Sequence, residues 1–303
     1  MKIYFNRKPT KGPWGGGSKI LSAIVDECSI RGHEVFFNFD IKIVNNLDIL
    51  FCMDPRPNEF VNFLDLIDYK QAFGTKIIQR VGDLGTHGKP DLLDLVKKAS
   101  NYADVLIFPS EWAKNYSNIS ESKTYYVIQN APLKKFIVKK RNKIFGENLR
   151  IISHHWSDSE YKGFEIYKQL DDYCYENNLK FTFVGRKPSN LSLKNCISPQ
   201  DVDGLIDELP KHDLYITASK LEAGANHVLE AMALGLPVLY HKDGGSINEY
   251  CKNFGMQYDS FEELKHILEN NRSELQKISE EMHYMRSSED MAVEYVNLFE
   301  KLA

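Results

Sequence analysis

Short apolar runs alternate with helix-length amphipathic segments twice along this chain, and that alternation leaves few folds open. Through about residue 130 the runs KIYF, EVFFNF, LDILFC, TKIIQRV, DVLIFP and TYYVIQ are separated by segments such as SKILSAIVDECSIRG and EFVNFLDLIDYKQAFG. A second series, LRIISH, KFTFVG, DLYITAS and PVLYHK, is spaced by GFEIYKQLDDYCYENN, DVDGLIDEL and a helix within LEAGANHVLEAMALGLPVL. Strands joined by helices are crossover units, which pair in parallel and carry helices on both faces of the sheet. The pattern predicts an α/β protein of two doubly wound, Rossmann-like domains in tandem. The 303 residues suit two cores of roughly 150 residues each. The expected domains are 1–140 and 147–289, joined by APLKKFIVKKRNKIFGEN. From residue 260 the chain reads as helix to its end, with a polar break at RSSED, residues 286–290.

Composition excludes several classes. Hydrophobic residues make up 43% and charged residues 26%, the balance of a soluble globular chain. The formal net charge of −4 gives no electrostatic basis for nucleic-acid binding, so no nucleic-acid partner is expected. Cys28, Cys52, Cys174, Cys196 and Cys251 are scattered without a CxxC pair, as in a reduced, cytoplasmic protein. The opening MKIYFNRKPTKGPW has no apolar signal region behind it, and no segment reaches the roughly 18 apolar residues of a membrane span. Six basic residues fall between Lys134 and Lys143. A solvated interdomain connection accounts for them, with peripheral contact to an anionic membrane face as the second reading.

Within LEAGANHVLEAMALGLPVL one carboxylate, Glu230, stands among Val, Leu, Ala and Met, eight residues after Glu222. A carboxylate in apolar surroundings needs a partner. Asn226 is a good N-cap, Gly235 a good terminator, and Pro237 cannot continue a helix, so a helix is predicted from His227 to Leu234. It follows the strand DLYITAS, which puts its N-terminus at the carboxyl edge of the sheet, where open α/β sheets bind ligands. The free N–H groups of His227, Val228 and Leu229 suit a phosphate. Glu230 leans back toward that phosphate, within reach of vicinal hydroxyls, and Glu222 reaches another part of the same ligand. Two carboxylates on hydroxyl pairs with a phosphate between them describe a sugar nucleotide.

Glu222, seven residues, Glu230, then AMALGLPVL and GGSINE at 244–249, resembles the donor-site signature of retaining glycosyltransferases of the GT-B fold, the large family 4-like group. YKGFEIYKQL, FVGR, FPSEWAKNY and VIQNAP add to the resemblance, which is specific over residues 148–255. It implies two Rossmann-like domains facing each other across a cleft, with the helix at 290–303 packing back on the first domain. It implies that Glu222 contacts the transferred sugar, Glu230 the ribose and Lys162 the diphosphate. Gly224, Asn226, His227, Val228 and Leu229 complete the donor stretch. The group's Gly-Arg ahead of the Lys-Gly is replaced here by ISHHWSDSEYKG, so Arg186 or a histidine is expected to stand in for that Arg.

In the first half, GPWGGGSKIL places Gly16 and Gly17 before a helix with Ser18 as its cap, and fails the dinucleotide pattern because Ile20 stands where a third glycine is needed. The resemblance assigns such a loop to the donor diphosphate; a flexible turn is the alternative. His87, in RVGDLGTHGKPD, is a candidate to orient or deprotonate an acceptor hydroxyl, against a solvated loop histidine. No metal is expected, because His154 and His155 diverge on a strand and no further ligands stand at suitable spacing. The expected function is transfer of a hexosyl or deoxyhexosyl group from a nucleotide sugar to a glycan or lipid-linked glycan, with retention of configuration, in polysaccharide or glycoconjugate biosynthesis. A non-catalytic sugar-nucleotide or glycan-binding protein, and an inverting transferase or epimerase of the same fold, are the alternatives.

Overall fold

The computed structural model of the protein describes residues 1–10, 16–38, 40–119, 122–138 and 144–303. The strands are β1 (Lys2–Phe5), β2 (Glu34–Phe36), β3 (Ile49–Cys52), β4 (Lys76–Arg80), β5 (Val105–Phe108), β6 (Thr124–Val127), β7 (Arg150–His155), β8 (Lys180–Gly185), β9 (Cys196–Ile197), β10 (Leu214–Thr217), β11 (Val238–His241) and β12 (Gly255–Tyr258). The helices are α1 (Gly16–Ile30), α2 (Phe63–Phe73), α3 (Leu92–Ser100), α4 (Glu111–Ser117), α5 (Phe164–Glu176), α6 (Val202–Glu208), α7 (Asn226–Ala233), α8 (Ser246–Cys251), α9 (Phe261–Asn270), α10 (Arg272–Glu281) and α11 (Ser288–Leu302). They form two compact units, one holding β1 to β6 with Ser288–Ala303, the other Pro132–Ser287.

Each unit is a six-stranded parallel sheet, ordered β2-β1-β3-β4-β5-β6 in the first and β12-β11-β10-β7-β8-β9 in the second. Parallel strands buried on both faces read as unbroken apolar runs, and the second sheet shows how adjacent residues divide between those faces. Ile152, Tyr215 and Val238 pack with Val228, Leu229 and Met232 of α7, whereas their neighbours Ile151, Leu214 and Leu239 pack with Tyr167 and Leu170 of α5 and Leu264 of α9.

In the first unit, Ile3, Phe5, Ile49, Phe51 and Ile78 of the sheet meet Ile20, Leu21 and Ile24 of α1 and Met291, Tyr295 and Phe299 of α11. Phe299 is fully buried, with its ring centroid 5.2 Å from Phe51 and 6.4 Å from Phe5. Outside, Arg31, just past the end of α1, donates to Asn297 at 2.7 Å and to Glu300 at 2.9 Å of α11.

Some elements differ from expectation. α11 starts at Ser288, two residues early, because Glu289 and Asp290 favour a helix's first turn instead of breaking it. GMQY becomes edge strand β12 although it lacks an apolar run. Gly255 makes this close pairing feasible, since a Cβ there would lie 1.8 Å from the Val238 carbonyl oxygen. Ser18 lies inside α1 and does not cap it; its hydroxyl donates to the Thr10 carbonyl oxygen at 2.9 Å and accepts from the Thr10 N–H at 2.8 Å. Of the basic run, Lys134 and Lys135 sit in a 3-10 turn, Lys135 pairs with Asp203 at 2.6 Å, and 139–143 lie outside the described residues, as do 11–15. Among the described residues no helix is long and apolar enough to cross a membrane.

Phe299→Ala should remove a core aromatic that ties α11 to the sheet, at about 3–5 kcal/mol. Urea denaturation followed by circular dichroism should show the loss, whereas Lys301→Ala on the exposed face of α11 should leave the transition within about 0.5 kcal/mol of the parent.

Candidate functional site

The second sheet reverses direction at β7. The chain runs outward through β8 and β9, then returns to lay β10 on the other side of β7 before continuing to β11 and β12. The loops leaving the carboxyl ends of β7 and β10 therefore meet at the switch point, where open α/β sheets bind ligands. His154 and His155 end β7, Thr217 ends β10, and α7 begins eight residues after Ala218.

The loop after β7 closes into a 3-10 turn, Glu160–Lys162, and Gly163 then opens α5 with φ 72°. A Cβ on Gly163 would lie 2.4 Å from the Ala218 carbonyl oxygen, so glycine lets this turn ride against the end of β10. The Lys220 N–H donates to the Tyr161 carbonyl oxygen at 2.8 Å and locks the two loops together. Lys162 is thereby delivered to Glu222, and its ammonium forms an ion pair with that carboxylate. Lys162 is only 8% exposed, which rules out the solvent-facing role that a helix-start lysine commonly has.

The Glu222 loop is clamped on its other side by the turn that carries GGSINE. Leu221 N–H donates to Asp243 O at 2.9 Å, Glu222 N–H to Gly244 O at 3.2 Å, and Ser246 N–H to Glu222 O at 2.8 Å. The Ser246 hydroxyl accepts from Ala225 N–H at 3.1 Å, just before α7. Leu221 adopts φ 54°, a left-handed conformation that a branched side chain resists and that this clamp enforces.

α7 runs Asn226–Ala233, one residue ahead of expectation. Ala225 occupies the cap position, so Asn226 is the first helical residue and does not cap it. The other end matches the expected stop: Gly235 takes φ 76°, with its N–H on Met232 O at 2.9 Å and the Leu236 N–H on Ala231 O at 3.1 Å. Glu230, 4% exposed in the first turns, finds its protein partner in His154, whose Nε2–H donates to Glu230 Oε2 at 2.9 Å. Sequence reasoning considered His154 only as a ligand for phosphate or metal. The available signal was its position at the last turns of β7, where residues of alternating direction face α7 and α5 in succession. His155 accordingly meets Tyr167 of α5 through a hydrogen bond to the phenol.

His227 sits between them, its ring 4.9 Å from that of His155 and 6.2 Å from that of His154, with Nε2 at 3.0 Å from the Thr217 hydroxyl. Burial first, and the nearby Lys162 ammonium second, push its pKa down to about 3, so it stands neutral beside the helix N-terminus. Val228 and Leu229 follow it, fully buried, and Gly224 lies on the clamped loop. Arg186, beyond β8, is exposed and stacks its guanidinium 4.1 Å from the Trp156 ring centroid. Gly16, Gly17 and His87 belong to the first unit: Gly16 opens α1, Gly17 is exposed, and His87 is partly buried on the loop between β4 and α3.

Buried polar atoms of these segments, His154 Nδ1, Ser219 Oγ, Asn226 Oδ1 and Asn248 Oδ1, have no hydrogen-bond partner among the described residues. Buried polar groups are nearly always bonded, so these atoms near one switch point are available to a bound polar molecule. Among the described residues no group of three or more His, Cys, Asp or Glu side chains is arranged to hold a metal ion.

No family model matches the sequence, and no curated protein matches it. Solved structures do resemble the fold. HepE from Anabaena, in complex with UDP and glucose, superposes with a TM-score of 0.71 at 15% identity, covering 99% of this chain and 100% of that one. Sucrose-phosphate synthase from Thermosynechococcus elongatus gives 0.71 at 12% identity over 99% and 98% of the two chains. WaaG, a glycosyltransferase involved in lipopolysaccharide biosynthesis, gives 0.68 at 12% identity over 99% of each. The chain has the GT-B fold of these glycosyltransferases: two parallel six-stranded sheets with flanking helices.

The His227 shift has a signed consequence. Its folded value of about 3 lies below the ordinary 6.5, so the unfolded chain binds the extra proton in between, and stability falls as pH drops from about 6.5 toward 3. Thermal melts across that range should show a shallower acid-side decline for His227→Gln, which cannot titrate, than for the parent.

Proposed function

We propose that the protein is a glycosyltransferase that moves a sugar from a nucleotide-sugar donor to a hydroxyl acceptor. The observation carrying this reading is the pair of carboxylates at the α7 N-terminus, Glu222 on Lys162 and Glu230 on His154, each held by a protein donor that a ligand can replace. In the donor complex Glu230 would accept from the ribose hydroxyls, and the first N–H groups of α7 with Lys162 would take the diphosphate. Glu222, released by Lys162, would accept from hydroxyls of the transferred sugar. As the anomeric C–O bond breaks, charge builds on the leaving diphosphate, where Lys162 and the helix N–H groups stabilise it. The acceptor oxygen forms the new bond to the same carbon, and its proton passes to the leaving phosphate oxygen in a reaction that retains configuration. HepE has been crystallised with UDP and with UDP-glucose, which makes these the first ligands to try.

The reading extends to a hexosyl or deoxyhexosyl donor, a glycan or lipid-linked glycan acceptor in cell-surface polysaccharide or glycoconjugate synthesis, and no metal requirement. It places the reaction in the cytoplasm, with Lys134–Lys143 as the segment for any contact with an anionic membrane face. A second reading, a binding protein without turnover, draws on the ISHHWSDSEYKG segment, which lacks a permanent cation ahead of Lys162. An inverting transferase is separated from the retaining one by the anomeric configuration of the product.

Calorimetric titration with UDP and release of labelled sugar from UDP-glucose test the assignment. Glu230→Ala should weaken UDP itself by about tenfold or more, as loss of a charged acceptor for two hydroxyls predicts. Glu222→Ala should bind UDP like the parent and lose sugar release by about a hundredfold or more. Parent-like binding and release in both variants would sink the site, and tight binding with no release in the parent would favour the second reading.

A further inference from the structure

The first unit buries a cation that forms no ion pair among the described residues. Arg80 ends β4, at the carboxyl edge of the sheet, and is 5% exposed. Among the described residues its guanidinium has two hydrogen-bond partners, both neutral: Nε–H donates to the Tyr295 hydroxyl of α11 at 3.2 Å, and Nη2–H donates to Asn130 Oδ1 at 2.9 Å. Among the described residues Nη1 takes no partner, and no carboxylate forms an ion pair with this side chain. Other cations of this unit do find carboxylates, Lys70 on Asp104 at 2.6 Å and Arg31 on Glu27 at 2.7 Å.

The position is built rather than incidental. A Cβ on Gly82 would lie 1.6 Å from Arg80 Nη1 and 2.4 Å from Cζ, so only glycine two residues on lets the guanidinium lie where it does. Asn130 belongs to the VIQNAP run just beyond β6 and is 2% exposed, and Tyr295 is fully buried with its ring 6.0 Å from that of Phe51. Two buried neutral groups thus orient a fork of N–H donors without cancelling its charge. A buried cation without a counter-ion is unfavourable, and a planar guanidinium matches the two oxygens of a carboxylate or phosphate.

We infer that Arg80 binds an anionic group, a carboxylate or a phosphate, of a ligand taken up by the first unit. On the function proposed above that ligand is the acceptor, which would then carry an acidic sugar or a phosphate. The inference rests on that reading only in calling the ligand an acceptor.

The guanidinium Nε–H resonance of Arg80, identified in the full-length labelled protein by its absence from Arg80→Lys, reports directly on this site. Titration with sodium acetate and with methyl phosphate, against sodium chloride at matched ionic strength, should shift it saturably with at least one of the two oxyanions and not with chloride. A response to acetate alone assigns a carboxylate and one to methyl phosphate alone a phosphate. Gly82→Ala, which displaces the guanidinium without removing it, should lose the response. An Arg80 resonance that ignores both oxyanions, or follows chloride equally, overturns the inference. UDP titrated in the same samples reads the second unit separately: no UDP binding with an intact Arg80 response would count against the donor site alone.

Discussion

Glu230 can be buried because β7 and β10 are neighbours. Leu214 and Tyr215 pair with Ile151 and Ile152, which carries His154 to the carboxyl end of the sheet directly opposite the helix that follows β10. Tyr215 strengthens the join by accepting from the His154 N–H and donating to its carbonyl oxygen, both at 3.2 Å. The imidazole then meets the Glu230 carboxylate. Without this pairing an acid in the apolar first turns of α7 would be strongly unfavourable, and the helix would not be held with its N–H groups at the switch point.

The same logic governs Lys162 and Glu222, which lie on loops leaving those two strands. Both loops are braced mainly by backbone hydrogen bonds, Lys220 to Tyr161 on one side and the 243–246 turn to residues 221 and 222 on the other, with the Ser246 hydroxyl holding Ala225. Positions that tolerate only small or strained residues, Gly163 and Leu221, fall within these braces. A rigid backbone with exchangeable side-chain partners suits a binding site. On the proposed function, hydroxyl-bearing ligands would replace the protein groups paired with these carboxylates without rearranging the chain. The neutral His227 between the two pairs adds no competing positive charge to the helix N-terminus.

The two units share an architecture and treat charge differently. In the second, the buried Lys162 ammonium at the carboxyl edge is matched to the Glu222 carboxylate on a neighbouring loop. In the first, Arg80 is matched to an alcohol and an amide. Doubly wound sheets place ligands at the carboxyl ends of their strands, and the residues there are free to differ because they are not needed to hold the sheet together.

Much of the fold is written locally. Apolar runs such as ILFC and LYIT, with helix-length spacers between them, specify parallel strands because only covered sheets can bury residues on both faces. Asn62 and Asp65 at one end of α2 and Gly74 at the other delimit that helix by capping chemistry alone. The Glu-seven-Glu spacing and the Gly235 stop likewise marked the site's helix. Distant pairings were beyond such reading. That Glu230 belongs with His154, 76 residues away, and Lys162 with Glu222, 60 residues away, follows from strand order, as does the lodging of Arg80 between Tyr295 and Asn130. Edge strand β12 carries no such signal, because only Tyr258 of its four residues is fully buried and its pairing depends on a missing side chain at Gly255. Local periodicity records which face of an element is buried, whereas the partner of a buried charge is chosen only when the sheet is assembled.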